Sequence, residues 1–260
     1  MHDAIKGSTL VSQQLSTVAL FIIVFLYTLN GYLNTPSLIT IDISCIVAGF
    51  IARMLADKSF DINSLFRSCK TLILLFGSLF SLSPVLRTLT NSFSDDTISA
   101  CTSILLILHL FFHDYGYING DTHEFRAPVS LNAAIFASVL LTSRLPSNIH
   151  VFALLSIAIE MFALFPILRH HLKQYSQQYH YLLTVGMVLL TTLLFIPISN
   201  TVAVLYAAAI VFITVGCPLW LVFIQQYKKY VFVAFVFFIL ILFFYSEING
   251  PWDEAKIMYK

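Results

Sequence analysis

Charge is scarce in this sequence: 27 of 260 residues are ionic, 14 Lys+Arg and 13 Asp+Glu, or 10%. Soluble domains carry ~25% charged residues because their surfaces must be solvated, so a water-facing globule is excluded. The net charge of +1 leaves no basic footprint for nucleic acid. Four cysteines, Cys45, Cys69, Cys101 and Cys217, are scattered mostly within apolar runs without paired spacing. That excludes a disulfide framework or a zinc knuckle and leaves small core residues. Also missing are a Gly-rich phosphate loop, a Gly-x-Ser-x-Gly elbow and an Asp-x-Asp sugar-nucleotide motif. No complete active site is written into the chain, and no internal repeat is visible.

Apolar residues fill the chain instead: 58% of the total, with 24 Phe and a mean hydropathy of +0.87. The solvent must be lipid. A crossing helix needs about 20 mostly apolar residues, each rising ~1.5 Å through a ~30 Å core. The runs are Leu15–Leu33, Ser37–Ala56, Thr71–Thr90, Ile98–Phe112, Val129–Leu145, Ile149–Leu168, Tyr181–Ile198, Thr201–Gln225 and Val231–Phe244. Ile98–Phe112 and Val129–Leu145 are short. The expected fold is an all-α integral membrane protein with about eight transmembrane helices plus a ninth apolar segment of different texture. Residues 1–260 read as one polytopic membrane domain: a short cytosolic N-terminus, spans within about 15–225, an apolar insertion at 230–246 and a cytosolic-type tail at 247–260. The first run is flanked only by Lys6, and no small-x-small cleavage site follows Leu26, so it reads as a retained helix rather than a signal peptide.

Lys and Arg mark the cytosolic side of a membrane protein. The N-terminus and even-numbered loops hold Lys6, Arg53, Lys58, Arg67, Lys70, Arg126, Arg169 and Lys173, with Lys228 and Lys229 after span eight. Odd-numbered loops hold only Arg87 and Arg144. With eight spans the split is 12 to 2, and with a ninth crossing it falls to 10 to 4. Both termini are therefore expected in the cytosol.

An ionisable group in a bilayer needs a reason, since a charge near a helix centre costs ~2.5–3.5 kcal/mol on insertion scales. His109 and His113 stand four apart, on one helix face, which is metal-ligand spacing. No second His-x-x-x-His occurs, and His170-His171 point apart, so no metal is assigned. Glu160, midway along span six, stands as the only acid well inside a long apolar run. It is either a proton or cation site of a small-solute or ion transporter, or a protonated acid paired within the bundle, with His109 its natural partner. Arg144 closes span five in Ser143-Arg144-Leu145-Pro146; it either snorkels to the head groups or forks onto a lipid phosphate.

Several motifs occur in one order: Ser83-Pro84-Val85-Leu86-Arg87-Thr88-Leu89-Thr90, Asp96-Thr97-Ile98, His109-Leu110 and Asp114-Tyr115-Gly116. Ser130-Leu131-Asn132-Ala133-Ala134-Ile135-Phe136-Ala137-Ser138, Ser143-Arg144-Leu145-Pro146, His150 and Phe162-Ala163-Leu164-Phe165-Pro166 follow, and the tail carries Gly250-Pro251-Trp252-Asp253-Glu254-Ala255. Together, from about Gln13-Gln14-Leu15 to the tail, they closely resemble the PIG-C family, one of the subunit families of phosphatidylinositol N-acetylglucosaminyltransferase. The resemblance implies a multi-span endoplasmic reticulum protein in a complex that moves N-acetylglucosamine from UDP-GlcNAc to phosphatidylinositol. This is the first step of GPI-anchor biosynthesis, on the cytosolic face. It also implies that catalysis resides in another subunit, that this one is a scaffold or lipid-presenting partner, and that it needs no cofactor. The family-motif positions map onto His109, Asp114, Asn132, Arg144, Gly250, Pro251, Trp252, Asp253 and Glu254, with roles in interhelical bonding, helix termination and docking to lipid or partner subunits. An uncharged amide can stand at the family position of Glu160.

This chain departs from the family pattern in two places. A cytosolic stretch with a Pro-Asp-Asn-Tyr-like motif, usual before the first span, is missing, as expected from a downstream start or an incomplete gene model, or from genuine loss. Removing Tyr230–Ser246 would join Lys228-Lys229 to Glu247-Ile248-Asn249-Gly250 and restore the family spacing. Those 17 residues are 51 nucleotides, rich in Phe, Val, Leu and Ile codons with T in the middle position. The segment reads as a retained T-rich intron or as a real insertion. For the intron reading, cDNA should lack the 51 nucleotides in its major form; a major transcript that contains them excludes it.

Overall fold

The computed structural model describes residues 2–56, 62–90, 92–119, 128–221 and 223–224. In chain order the helices are α1 (His2–Leu29), α2 (Thr35–Ala56), α3 (Ile62–Thr88), α4 (Asp95–Phe111), α5 (Tyr115–Asn119), α6 (Pro128–Thr142), α7 (Asn148–Ile159), α8 (Phe165–Tyr175), α9 (Gln177–Phe195) and α10 (Asn200–Val211). A π-turn, Glu160–Leu164, runs α7 into α8, and a second, Phe212–Gly216, extends α10. No strand occurs among the described residues. Six stretches are long and apolar enough to cross a bilayer: Gly7–Leu29, Thr35–Ala52, Cys69–Thr88, Asn148–Tyr175, Gln177–Phe195 and Asn200–Leu221. The chain is thus an all-α membrane protein, with α4 (17 residues) and α6 (15 residues) the two short helices. The Val231–Phe244 run, the Tyr230–Ser246 segment and Gly250–Glu254 lie outside the described residues.

Helix α1 is the central post. Its membrane stretch is 67% buried, against 11% for those of α2 and α3. The apolar run begins at Leu15, yet the helix starts far earlier, and Ser8, Thr9, Ser12, Gln13, Gln14, Ser16 and Thr17 are all buried. Hydropathy places such residues outside the membrane. Packing places them inside the bundle, where neighbouring helices supply the bonds lipid cannot. Ser12 Oγ meets Thr214 Oγ1 at 3.2 Å, Gln13 Nε2 donates to Thr184 Oγ1 at 2.6 Å, and Ser16 Oγ meets the Tyr206 hydroxyl at 2.7 Å. Near the far end the Tyr27 hydroxyl donates to Leu194 O at 2.7 Å. Between these ends an apolar core forms around Val18, Phe21 and Phe25 of α1 with Ala134, Ala137, Leu154 and Phe162.

Helix α6 packs most extensively on α4, and its buried residues are mostly small: Ser130, Ala133, Ala134, Ala137 and Ser138. Small side chains let backbones approach closely, which matters where association rests on van der Waals contact rather than on expulsion of water. At 15 residues α6 rises only ~22 Å and is sheltered by its neighbours.

Both π-turns have one cause. Pro166 and Pro218 each lie six residues after the start of a π-turn. A helical proline cannot donate to the carbonyl four residues back, and its ring crowds that carbonyl. The helix widens just ahead of it: Phe165 N–H donates to Glu160 O and Cys217 N–H to Phe212 O, each five residues back.

The first turn is a Schellman cap. Tyr32 N–H donates to Tyr27 O at 2.9 Å and Gly31 N–H to Thr28 O at 3.2 Å, with Gly31 at φ 75°. A Cβ at Gly31, or at Gly49 within α2, would meet no atom within 4 Å. Gly31→Ala therefore acts through backbone strain alone and should cost about 1–2 kcal/mol. Thermal unfolding in detergent checks this: the midpoint should fall for Gly31→Ala and should not fall for Gly49→Ala, which sits at an ordinary helical position.

Candidate functional site

The sequence motifs gather into two hydrogen-bonded networks at opposite ends of the bundle. The first is built on Arg169, which is completely buried although its place just past span six reads as a cytosolic loop. The helix continues to Tyr175, so Arg169 is a core residue and not a surface charge. Its Nη2 donates to Gln14 Oε1 at 2.6 Å, and the Phe165 ring lies 4.9 Å from the guanidinium carbon.

That one bond sets the polarity of the rest. A guanidinium only donates, so the Gln14 oxygen faces Arg169 and the Gln14 amide donates to His109 Nε2 at 2.6 Å. His109 therefore carries its proton on Nδ1, which donates to Ser130 O at 2.9 Å with Ser130 Oγ at 2.8 Å. Ser130 Oγ in turn donates to His109 O at 2.9 Å. The relay joins α8, α1, α4 and α6. Both His109 nitrogens are engaged by it, while the His113 ring lies 5.6 Å away, edge to face. Among the described residues no group of three or more His, Cys, Asp or Glu could hold a metal.

His113, in the connection after α4, is buried; desolvation, with Arg169 and His109 nearby, pushes its imidazole down to about 2 and keeps it neutral. Asp114 caps α5, its Oδ1 accepting from Tyr117 N–H at 3.0 Å. Tyr117 stacks on His170 at 4.3 Å, and His170 Nδ1 donates to Tyr117 O at 2.7 Å, tying α5 to α8.

The second network lies at the other end. Arg144 Nη2 donates to Thr90 O and Phe93 O, and its Nε stands 3.1 Å from Asp95 Oδ1. Thr90 and Ser143 hydroxyls bond, Ser83 Oγ donates to Asn148 O at 2.6 Å, and Arg87 Nη1 donates to Asn148 Oδ1 at 3.3 Å. Arg144 and Arg87 line one polar cavity of about 420 Å³ with Thr88, Ser143 and Leu145. Arg144 thus staples the α3–α4 and α6–α7 turns together. His150, with the Ser147 cap at 2.6 Å, reaches Thr35 of α2 at 3.1 Å.

The pairing of Glu160 with His109 is not formed. Glu160 faces Asp42 of α2, which accepts from Ser156 Oγ at 3.0 Å. Asp42 is the acid that the reading of Glu160 as the only one overlooks; both are buried. The π-turn sets Glu160 on the α2 side, whereas His109 sits on the far side of α1's polar face. Asn132 stands apart from both networks, exposed on the outer face of α6. Gln14, Arg169 and Asp42 escaped sequence reasoning; the paired glutamines Gln13-Gln14 beside an apolar run were the available signal, since only protein can satisfy amides in lipid.

Removing the Gln14 acceptor strands a buried guanidinium. Gln14→Leu should destabilise the protein by about 3 kcal/mol, and Gln14→Leu with Arg169→Leu should recover most of that loss. A double-mutant cycle on thermal midpoints in detergent measures the coupling; additive losses would refute it.

The chain matches the family model described as Phosphatidylinositol N-acetylglucosaminyltransferase (GPI2) over residues 1–253. A Dictyostelium discoideum protein named as a putative PIG-C-type subunit of that transferase is 53% identical over 254 residues, covering 98% of this chain and 69% of the relative. The Homo sapiens subunit of the same name is 33% identical over 258 residues (96% and 79%), and the Schizosaccharomyces pombe GPI2 subunit 31% over 267 residues (96% and 74%). No solved structure matches the chain. On a match that runs nearly end to end, this chain belongs to the GPI2 (PIG-C) family of phosphatidylinositol N-acetylglucosaminyltransferase subunits.

Proposed function

We propose that this chain is the non-catalytic integral membrane subunit of a complex that transfers N-acetylglucosamine from UDP-GlcNAc to phosphatidylinositol, the first step of GPI-anchor biosynthesis. The carrying observation is the family match over residues 1–253. Two features support a scaffold and lipid-presenting role. The sequence holds no sugar-nucleotide motif, and the polar groups of the Arg169 relay are enclosed: Arg169 is 0% exposed and His109 1%. Chemistry on UDP-GlcNAc then belongs to a partner subunit. The complex sits in the endoplasmic reticulum membrane, with both termini of this chain in the cytosol. Setting Arg169 aside as a core residue leaves the Lys and Arg distribution at 11 to 2, the same bias. A transporter centred on Glu160 and His109 loses its premise, since the two belong to separate contacts.

Purification of the tagged chain in mild detergent tests the assignment. A UDP-GlcNAc-dependent activity on phosphatidylinositol should co-purify with other subunits. A chain that purifies alone, without that activity, overturns it.

A further inference from the structure

Between α1, α2, α3, α8 and α9 lies a cavity of about 840 Å³, lined by apolar side chains such as Leu20, Val24, Ile41, Leu183 and Leu194, with Cys45 and Gly49 on its α2 wall. It belongs to neither hydrogen-bonded network. Its lining on α9 runs from Leu183 to Leu194, ~17 Å at 1.5 Å per residue, which is about one leaflet of a ~30 Å core.

Its size decides between occupants. A helix ~10 Å across and ~25–30 Å long displaces on the order of 2,000 Å³, more than twice this space. That excludes a partner's transmembrane helix, and equally the chain's own apolar segment Tyr230–Ser246, as an occupant of the interior. A slender hydrocarbon chain fits, and the volume falls in the ~300–1,000 Å³ range of small-molecule sites. Moving such a chain from lipid into an apolar groove gains nothing from the hydrophobic effect, so selectivity must come from the head group. The groove is polar at one end, where Thr71 of α3 and His171 of α8 line it; the same helical turns carry Lys70 and Lys173. These are cations suited to a phosphate.

We propose that this groove seats one acyl chain of the inositol phospholipid acceptor, with the phosphate at the Thr71–His171 end. The identity of the lipid rests on the transferase reading above; the groove itself does not. Gly49 provides the probe. A Cβ there meets nothing within 4 Å, so Gly49→Phe projects into the groove without displacing protein atoms, in a helix that glycine does not favour.

The test uses the assembled complex in vesicles containing phosphatidylinositol with a photoreactive diazirine in its acyl chain. Light should cross-link the lipid to peptides spanning Cys45–Phe50 and Leu183–Leu194. Gly49→Phe should lower that labelling about tenfold, a change of ~1.4 kcal/mol, at an equal level of assembled complex. Gly49→Ala should label as the parent does, and a choline lipid with the same chain should label less. Labelling untouched by Gly49→Phe, labelling confined to other faces, equal labelling by choline lipid, or labelling of the isolated chain but not of the complex each overturns the proposal. Failure of the transferase reading shows separately, as absence of UDP-GlcNAc-dependent activity in the same vesicles.

Discussion

A polar group inside a bilayer has no water to fall back on, and the architecture of this protein follows from that constraint. Arg169 is the extreme case, a guanidinium without exposed surface. It is held where it is because Gln14 turns its oxygen toward it, which obliges His109 to accept on Nε2 and donate from Nδ1 to Ser130. Each bond fixes the orientation of the next donor, so four helices are registered by one chain of contacts. Apolar side chains alone would hold these helices in place far less specifically, since lipid tails are as apolar as leucine.

The same constraint explains why α1 occupies the centre. Its serines, threonines and glutamines form a ladder that meets α4, α8, α9 and the end of α10. Helices with little polar side-chain surface, α2 and α3, stay at the periphery. The exception on α2 is Asp42, and it too is turned inward, toward Ser156 and Glu160. The π-turn ahead of Pro166 makes that encounter possible, because the extra residue per turn rotates Glu160 away from the α1 side of the bundle. Between the polar ladder and the peripheral pair, the helices leave a slot of hydrocarbon width.

Much of the helical skeleton was legible because hydropathy and proline placement act locally. Eight runs appear as helices, and the connections at Asn34, Asn91–Thr97 and Ser199 fall where turns occur. The motif residues that carry the family resemblance also sort cleanly in space: Ser83, Thr90, Ser143, Arg144 and His150 join at one end, and His109, Asp114 and Ser130 gather near the other. Three assignments failed for a common reason. The start of α1, the surface position of Arg169 and the pairing of Glu160 with His109 all depended on which groups meet across helices, and a linear pattern of polarity does not carry that information.

Sequence by itself determined that this chain lives in lipid, that it is all helix, and which family it belongs to, since composition, run length and ordered motifs are properties of the string. Tertiary structure alone decided which polar residues face one another. The physical reason is that hydropathy scores each residue against an average solvent, whereas a buried amide or guanidinium is stabilised by one particular neighbour. Scarce charge therefore marked the protein as membranous, and packing turned one of those few charges, Arg169, from a presumed topological marker into the anchor of the core.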